Sequence, residues 1–322
     1  MSIKSVADFV HMDAHKLRSY YRDHLSDFHQ WNQKRHASDW ILFGDNLGDH
    51  LAIDETSLSD GELYTVLTNK DGRGGHGTLV AMVRGVASEE VTRCLLRLPE
   101  GKRRKVKSIT MDMSGSMYKI ARTCFPNAEQ VIDRFHVQKL MYDALQELRV
   151  EYRWMAIKDE NERMAEARDK NEEYKPEVLS NGDTYRQLLA RSRYLLFKSP
   201  GDWTPKQKER AEILFGLFED IKTFYFLAQH LGYIYYKYDD KSVAMAKMAL
   251  WFNKVEEQNY PQFDTVVKTF KNHYDRILNY FNNRQTNASA EAFNRKLKSF
   301  RGEFRGVSDI DFYMYRIKNL YA

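Results

Sequence analysis

Three short runs rich in β-branched and apolar residues, LAIDETSL, ELYTVLTN and TLVAMVRGV, follow one another between positions 51 and 86, with only SDG and NKDGRGGHG to join them. Connections this brief, built of Gly, Asp and Asn, turn a chain back on itself, so the runs are expected to pair as a three-stranded meander. SEEVTRCLLRL then switches to helical periodicity, with Val91, Cys94, Leu95 and Leu98 on one face, and stops at Pro99 and Gly101. VKSITMDM reads as a fourth strand, GSMYKIARTCF as a helix, and AEQVIDRF as a fifth short strand running into another helix. The resulting order, βββαβαβα, is that of an α/β unit.

On either side the texture differs. Residues 1–45 carry helical signals with many His, Arg and Tyr and read as a helical lead-in, while 46–136 form the first part of the α/β core. Residues 137–285 are Tyr-, Phe-, Lys- and Glu-rich with almost no strand-like alternation, which implies an all-helical insertion. NGD at 181–183 and SPGDWTP at 199–205 mark turns within it. Trp251 reads there as a core aromatic, with base stacking as the alternative. Residues 286–322 restart at an N-cap candidate, Asn287 or Ser289, and supply a final helix of the core that ends at GEFRG.

Composition excludes several classes. Hydrophobic residues make up 43% of the 322 and charged residues 30%, which suits one large or two modest folded domains and not a disordered chain. The most apolar stretch, 224–236, is interrupted by Gln229 and His230 and falls short of the roughly 20 residues that span a bilayer, so no membrane partner is expected. The N-terminus lacks the pattern of a secretory signal, which points to an intracellular setting. Cys94 and Cys124 form no CxxC pair and are expected in the core rather than in a disulfide or zinc ribbon. The net charge is only +5, but basic residues cluster in GKRRKVK at 101–107 and in the run from 295 to 305. Either cluster is a solvated surface or a phosphate contact.

Two carboxylates stand out, because Asp54 closes the first apolar strand and Asp112 the fourth. Strand ends gather ligand sites, since rigid elements aim the side chains there and the turns leave room. Either Asp taken alone is better explained by turn formation or helix capping, and only the combination points to a site. A third acid comes from TNASAEAFNRKLKSF, where Glu291, Asn294, Arg295 and Lys298 share one helical face and Phe293, Leu297 and Phe300 take the apolar one. An exposed Glu291–Arg295 pair on a surface helix would give the same pattern. Taken together, oxygen-only carboxylates suit Mg²⁺ or Mn²⁺, and two such ions about 3.5–4 Å apart support in-line displacement at phosphorus.

Read jointly, IDETSL, ITMDMS, VIDRFHV and YFNNRQTNASAEAFNRKLK resemble the ISL-three-like group of bacterial insertion-sequence DDE transposases, over about residues 40–322. The resemblance implies an RNase H-like catalytic core with a mixed sheet, interrupted by the helical insertion. It assigns Asp54, Asp112 and Glu291 as catalytic and metal-binding acids that hold two Mg²⁺ or Mn²⁺ ions, cut transposon ends and join 3′-OH groups to target DNA. The segment from Asp133 to His136 is similar to the DxxH element of several DDE families, with Asp133 in a supporting role and His136 near the DNA. Asn294, Arg295, Lys296 and Lys298, together with Lys102, Arg103 and Arg104, would contact DNA. The resemblance also implies transposon ends and target DNA as partners, a homo-oligomer, and a cytoplasmic, nucleoid-associated location. The lead-in departs from the family, since it offers neither cysteine ligands nor an obvious recognition helix. End recognition would then fall to a companion polypeptide, to the insertion, or to a segment outside this sequence. A nuclease of the same fold without strand transfer and a non-catalytic domesticated DNA binder are the alternatives left open.

Overall fold

The computed structural model describes residues 3–58, 61–303 and 309–322. The chain divides into two compact units, Met1–Asp133 with Gln285–Ala322, and Arg134–Arg284.

In the first unit, helices α1 (Ile3–Phe9) and α2 (Ala14–Tyr20) precede strands β1 (Trp40–Leu42), β2 (His50–Ser57), β3 (Leu63–Asn69) and β4 (Leu79–Arg84). Helices α3 (Ser88–Leu95) and α4 (Glu100–Arg103), strand β5 (Ser108–Met111), helix α5 (Gly115–Cys124) and strand β6 (Glu129–Ile132) follow. The second unit holds α6 (Arg134–Asp169), α7 (Tyr185–Arg191), α8 (Pro205–Leu217), α9 (Glu219–Lys237), α10 (Lys241–Gln258), α11 (Asp264–Leu278) and α12 (Tyr280–Asn283). The chain then returns to the first unit for α13 (Ala288–Glu303) and α14 (Ile310–Tyr321).

The six strands form one mixed sheet in the order β1-β4-β3-β2-β5-β6. β2, β3 and β4 pair antiparallel, as brief turns require, whereas β5 and β6 join β2 in parallel, each after a helical connection. A short edge strand lies within the segment read as helical lead-in: β1 pairs with β4, and the Gln33 side-chain amide bonds both the N–H and the C=O of Leu42. Three residues carry too little periodicity to announce a strand.

Strand alternation sends side chains to two cores. One face places Leu51, Ile53, Ile109 and Met111 against Val91 and Leu95 of α3 and Met117, Ile120 and Cys124 of α5. The other places Ile41, Tyr64, Val66 and Met82 against Phe293 and Leu297 of α13 and Phe312, Tyr313 and Ile317 of α14. Both cysteines are buried and free. This second face, and the way α13 lies on it, positions the candidate site.

The helical unit is built around apolar residues of α6, α9, α10 and α11, including Leu145, Phe224, Leu231, Trp251 and Phe270. Trp251 is fully buried and donates its indole N–H to the Leu227 carbonyl at 2.9 Å, so it is a core aromatic and not a base-stacking platform. Its turns fall at the Gly-containing tracts: Gly182, at φ +81°, reverses the chain before α7, and a 3₁₀ turn at Pro200–Asp202 precedes α8. Capping boxes at Thr184/Gln187 and Thr204/Gln207 start α7 and α8. No helix among the described residues is long and apolar enough to cross a membrane.

Candidate active site

Three acids lie on or just past the strands β2, β5 and β6. Asp54 lies within β2 rather than at its end, since β2 continues to Ser57 against β3. What ends near Asp54 is the parallel pairing with β5, whose last partners are Ala52 and Thr110. Asp112 follows the end of β5, two residues past Thr110. β6 continues the sheet, where Met111 pairs with Ile132 and the Asp133 N–H donates to the Met111 carbonyl at 3.1 Å. Alternation points Asp54, Thr110 and Asp133 toward the face covered by α13.

α13 closes the site from above. Phe293 and Leu297 are fully buried and fix the helix on the sheet, which turns Asn294 inward and leaves Glu291 exposed one turn earlier. Asn294 donates its side-chain N–H to Asp54 Oδ2 at 2.7 Å, while Asp54 Oδ1 accepts the Glu55 N–H at 2.8 Å. The Glu291 and Asp133 carboxylate oxygens come within 4.8 Å of each other. Asp133 is buried at 2% exposure. Glu55, next to Asp54, is pushed above the ordinary carboxyl value by partial desolvation and by the Asp112 charge.

A single lysine approaches Asp133 from the β3–β4 turn. Lys70 donates from Nζ to the Thr110 hydroxyl and to Gln285 Oε1, the latter at 2.8 Å. Burial pulls its pKa down to about 8, against an opposing pull from Asp133. In the same turn Gly74, at φ +77°, offers its carbonyl to Lys296 Nζ at 2.7 Å. A side chain at position 74 would meet the left-handed backbone and also crowd Lys296, whose Nζ lies 3.0 Å from where a Cβ would stand. Sequence reasoning treated NKDGRGGHG only as punctuation and missed Lys70, Gln285 and Glu55. Only a cation opening a turn between two strands of the acid-bearing sheet hinted at Lys70.

The remaining candidates fall in different places. Arg295 and Lys298 are exposed on α13. His136 lies in the first turn of α6, in the helical unit. In the first basic cluster, Lys102 pairs with Asp45 and Arg104 with Glu100, both at 2.7 Å at the surface. Arg103 corrects the expectation of a phosphate contact: it is buried, and its guanidinium donates to the carbonyls of Leu98 and Cys124. It ties α4 to α5. Residues 304 and 305 of the second basic run lie outside the described residues.

The Asp133 and Glu291 carboxylate oxygens that come together in this unit are the kind of donor a hard divalent cation takes. Asn287 adds a second indication. It is 1% exposed, one turn before Glu291, and its amide O and N bond to no described residue. Buried amides left so are expected to meet a group supplied from outside, such as water or a phosphate oxygen.

A family model for transposases, that of the ISL3-type DDE group, matches residues 51–317. The chain is also similar to the transposase for insertion sequence element IS1001 of Bordetella parapertussis, at 22% identity over 320 residues, covering 98% of this chain and 69% of that protein. No solved structure matches.

Proposed function

We propose, for a chain that belongs to the ISL3 family of DDE transposases, that its first unit is an RNase H-like core that cuts transposon ends and joins their 3′-OH groups to target DNA. The observation that carries this reading is the placement of Asp54 on β2 and of Asp112 and Asp133 just past β5 and β6, with the helix that bears Glu291 bonded to Asp54 through Asn294 and its acid near Asp133. Asp54, Asp112 and Glu291, with Asp133 beside Glu291, would hold two Mg²⁺ or Mn²⁺ ions. Such ions, when bound, supply charge stabilisation at the attacking and leaving oxygens of an in-line displacement.

The chain's own groups prepare that site. Asn294 holds Asp54 by one oxygen, and the Glu55 N–H by the other, so the carboxylate is oriented before any ligand binds. The buried Phe293 and Leu297 set the height of Glu291 above the sheet. Arg295 and Lys298 point from the same helix into solvent, where they would contact phosphates and align the DNA without reading its sequence. Processing two ends together calls for more than one such centre, hence self-association. Selection of the ends would come from the helical unit or from a companion polypeptide.

The test is strand transfer of a pre-cut transposon-end duplex into plasmid with Mg²⁺ or Mn²⁺, comparing wild type with Asp112→Asn and Glu291→Gln. Joining by the wild type that both folded variants lose supports the reading. Nicking without joined product would replace it with hydrolysis alone, and DNA binding without either would leave a non-catalytic binder.

A further inference from the structure

The turn between β3 and β4 is tied to the Glu291 helix on both sides of the acid. Lys70 reaches Gln285, the residue with which the chain re-enters the first unit, and Lys296 reaches back to Gly74. Glu291 lies between these two anchors. Through the Thr110 hydroxyl the same Lys70 ammonium also holds β5, two positions before Asp112. One side chain therefore links the strand that carries Asp112 to the segment that carries Glu291.

A cation is an expensive choice for that link. The two groups Lys70 bonds directly, a hydroxyl and an amide oxygen, are neutral, and neutral partners repay little of the cost of withdrawing an ammonium from water. The compensating charge is that of Asp133. Conversely, Asp133 and Glu291 would repel each other and splay without a cation nearby.

We propose that Lys70 is a positioning residue for the acid cluster: it fixes the Asp112 strand to the approach of the Glu291 helix and offsets repulsion among the carboxylates, so the cation site is assembled before a cation arrives. The inference rests on the proposed reading of the cluster as a divalent-cation site.

The test uses the full chain and four measurements: Mn²⁺ binding by the electron paramagnetic resonance signal of the free ion, end-duplex binding without divalent cation, thermal unfolding, and joining at saturating Mn²⁺. Lys70→Met is expected to weaken Mn²⁺ binding by about tenfold or more and to slow joining similarly, the scale seen when outer partners of metal ligands are removed. End-duplex affinity should stay within about twofold. Lys70→Arg should recover part of both losses, because it keeps the charge. If the Met variant does not fold, Gln285→Leu removes one anchor alone and should weaken Mn²⁺ binding by a smaller factor. Unchanged or tighter Mn²⁺ binding in whichever variant folds overturns the inference, since a lysine that merely competed with cations would give tighter binding. A wild type that binds Mn²⁺ but joins nothing overturns the strand-transfer reading and leaves this inference to be decided by the affinities. A wild type that binds no Mn²⁺ overturns both.

Discussion

Asp133 in the sheet unit and Asp183 in the helical unit are almost equally buried, at 2% and 1% exposure, yet they are treated in opposite ways. Burial alone pushes the Asp183 carboxyl up, but hydrogen bonds from Arg210 at 2.8 Å and from Arg191 outweigh it and hold the group below its ordinary value. Asn181 adds a third donor at 3.0 Å. Asp133 instead stands within 4.8 Å of the Glu291 carboxylate, and the nearby lysine is itself stripped of water. An acid enclosed by cations serves the fold. An acid set beside another acid and a desolvated lysine is costly to hold, and such places are where function concentrates.

The comparison breaks first on activity. Asp112→Asn and Glu291→Gln should each lower joining by at least about 10³-fold, equal to about 4 kcal/mol of barrier, with no loss of thermal stability. A marked drop in stability with either variant would mean that these acids are structural, as Asp183 is. Asp183→Ala should do the reverse. It leaves two guanidinium groups facing an empty partner and should destabilise the helical unit by about 3 kcal/mol, read as a shift in the urea midpoint of helical ellipticity.

pH separates the two units further, through Asp183 in one and Glu55 in the other. Asp183 has a lowered folded pKa, so its contribution is present above the ordinary 3.8 and is lost as pH falls through the folded value. Glu55 has a raised one, so its penalty is present above the folded value and is relieved as pH falls toward the ordinary 4.5. Mild acidification should therefore leave the helical unit unchanged while relieving the sheet unit, and strong acidification should unfold the helical unit. Asp183→Ala should flatten the second effect alone. A divalent cation should relieve the sheet unit as a proton does. At ten times its dissociation constant, Mg²⁺ should stabilise that unit by about 1.4 kcal/mol in the wild type and by much less in Asp112→Asn.

How much of this was readable without coordinates follows from the range of each signal. The β2–β4 meander and the strand that delivers Asp112 are written in local alternation and turn residues, which need no tertiary information. Trp251 was readable as core for the same reason, a helical apolar face. Arg103 was not, because in GKRRKVK a buried guanidinium that caps the carbonyls of Leu98 and Cys124 looks like any other member of a basic run. β1 was hidden by its length and by its dependence on the Gln33 side chain. Asp133 was legible in the run from Asp133 to His136, whereas Lys70 meets Thr110 and Gln285 only through folding, 40 and 215 residues away, and no single run of sequence displays such contacts.

The smallest expected effect tests whether stability in the helical unit is local. Thr184 accepts the Gln187 N–H while Gln187 Oε1 accepts the Thr184 N–H, so the pair closes the start of α7 immediately after Asp183. Removing the hydroxyl orphans one N-terminal donor of the helix, which costs about 1 kcal/mol. Thr184→Ala should therefore lower the unfolding midpoint of the helical unit slightly and leave Mn²⁺ affinity unchanged. Combined with Asp183→Ala it should cost less than the two singly, because residues that share one turn couple when either is removed. Additive losses would show instead that the cap and the buried ion pairs hold the turn independently, and that Asp183 acts through Arg191 and Arg210 alone.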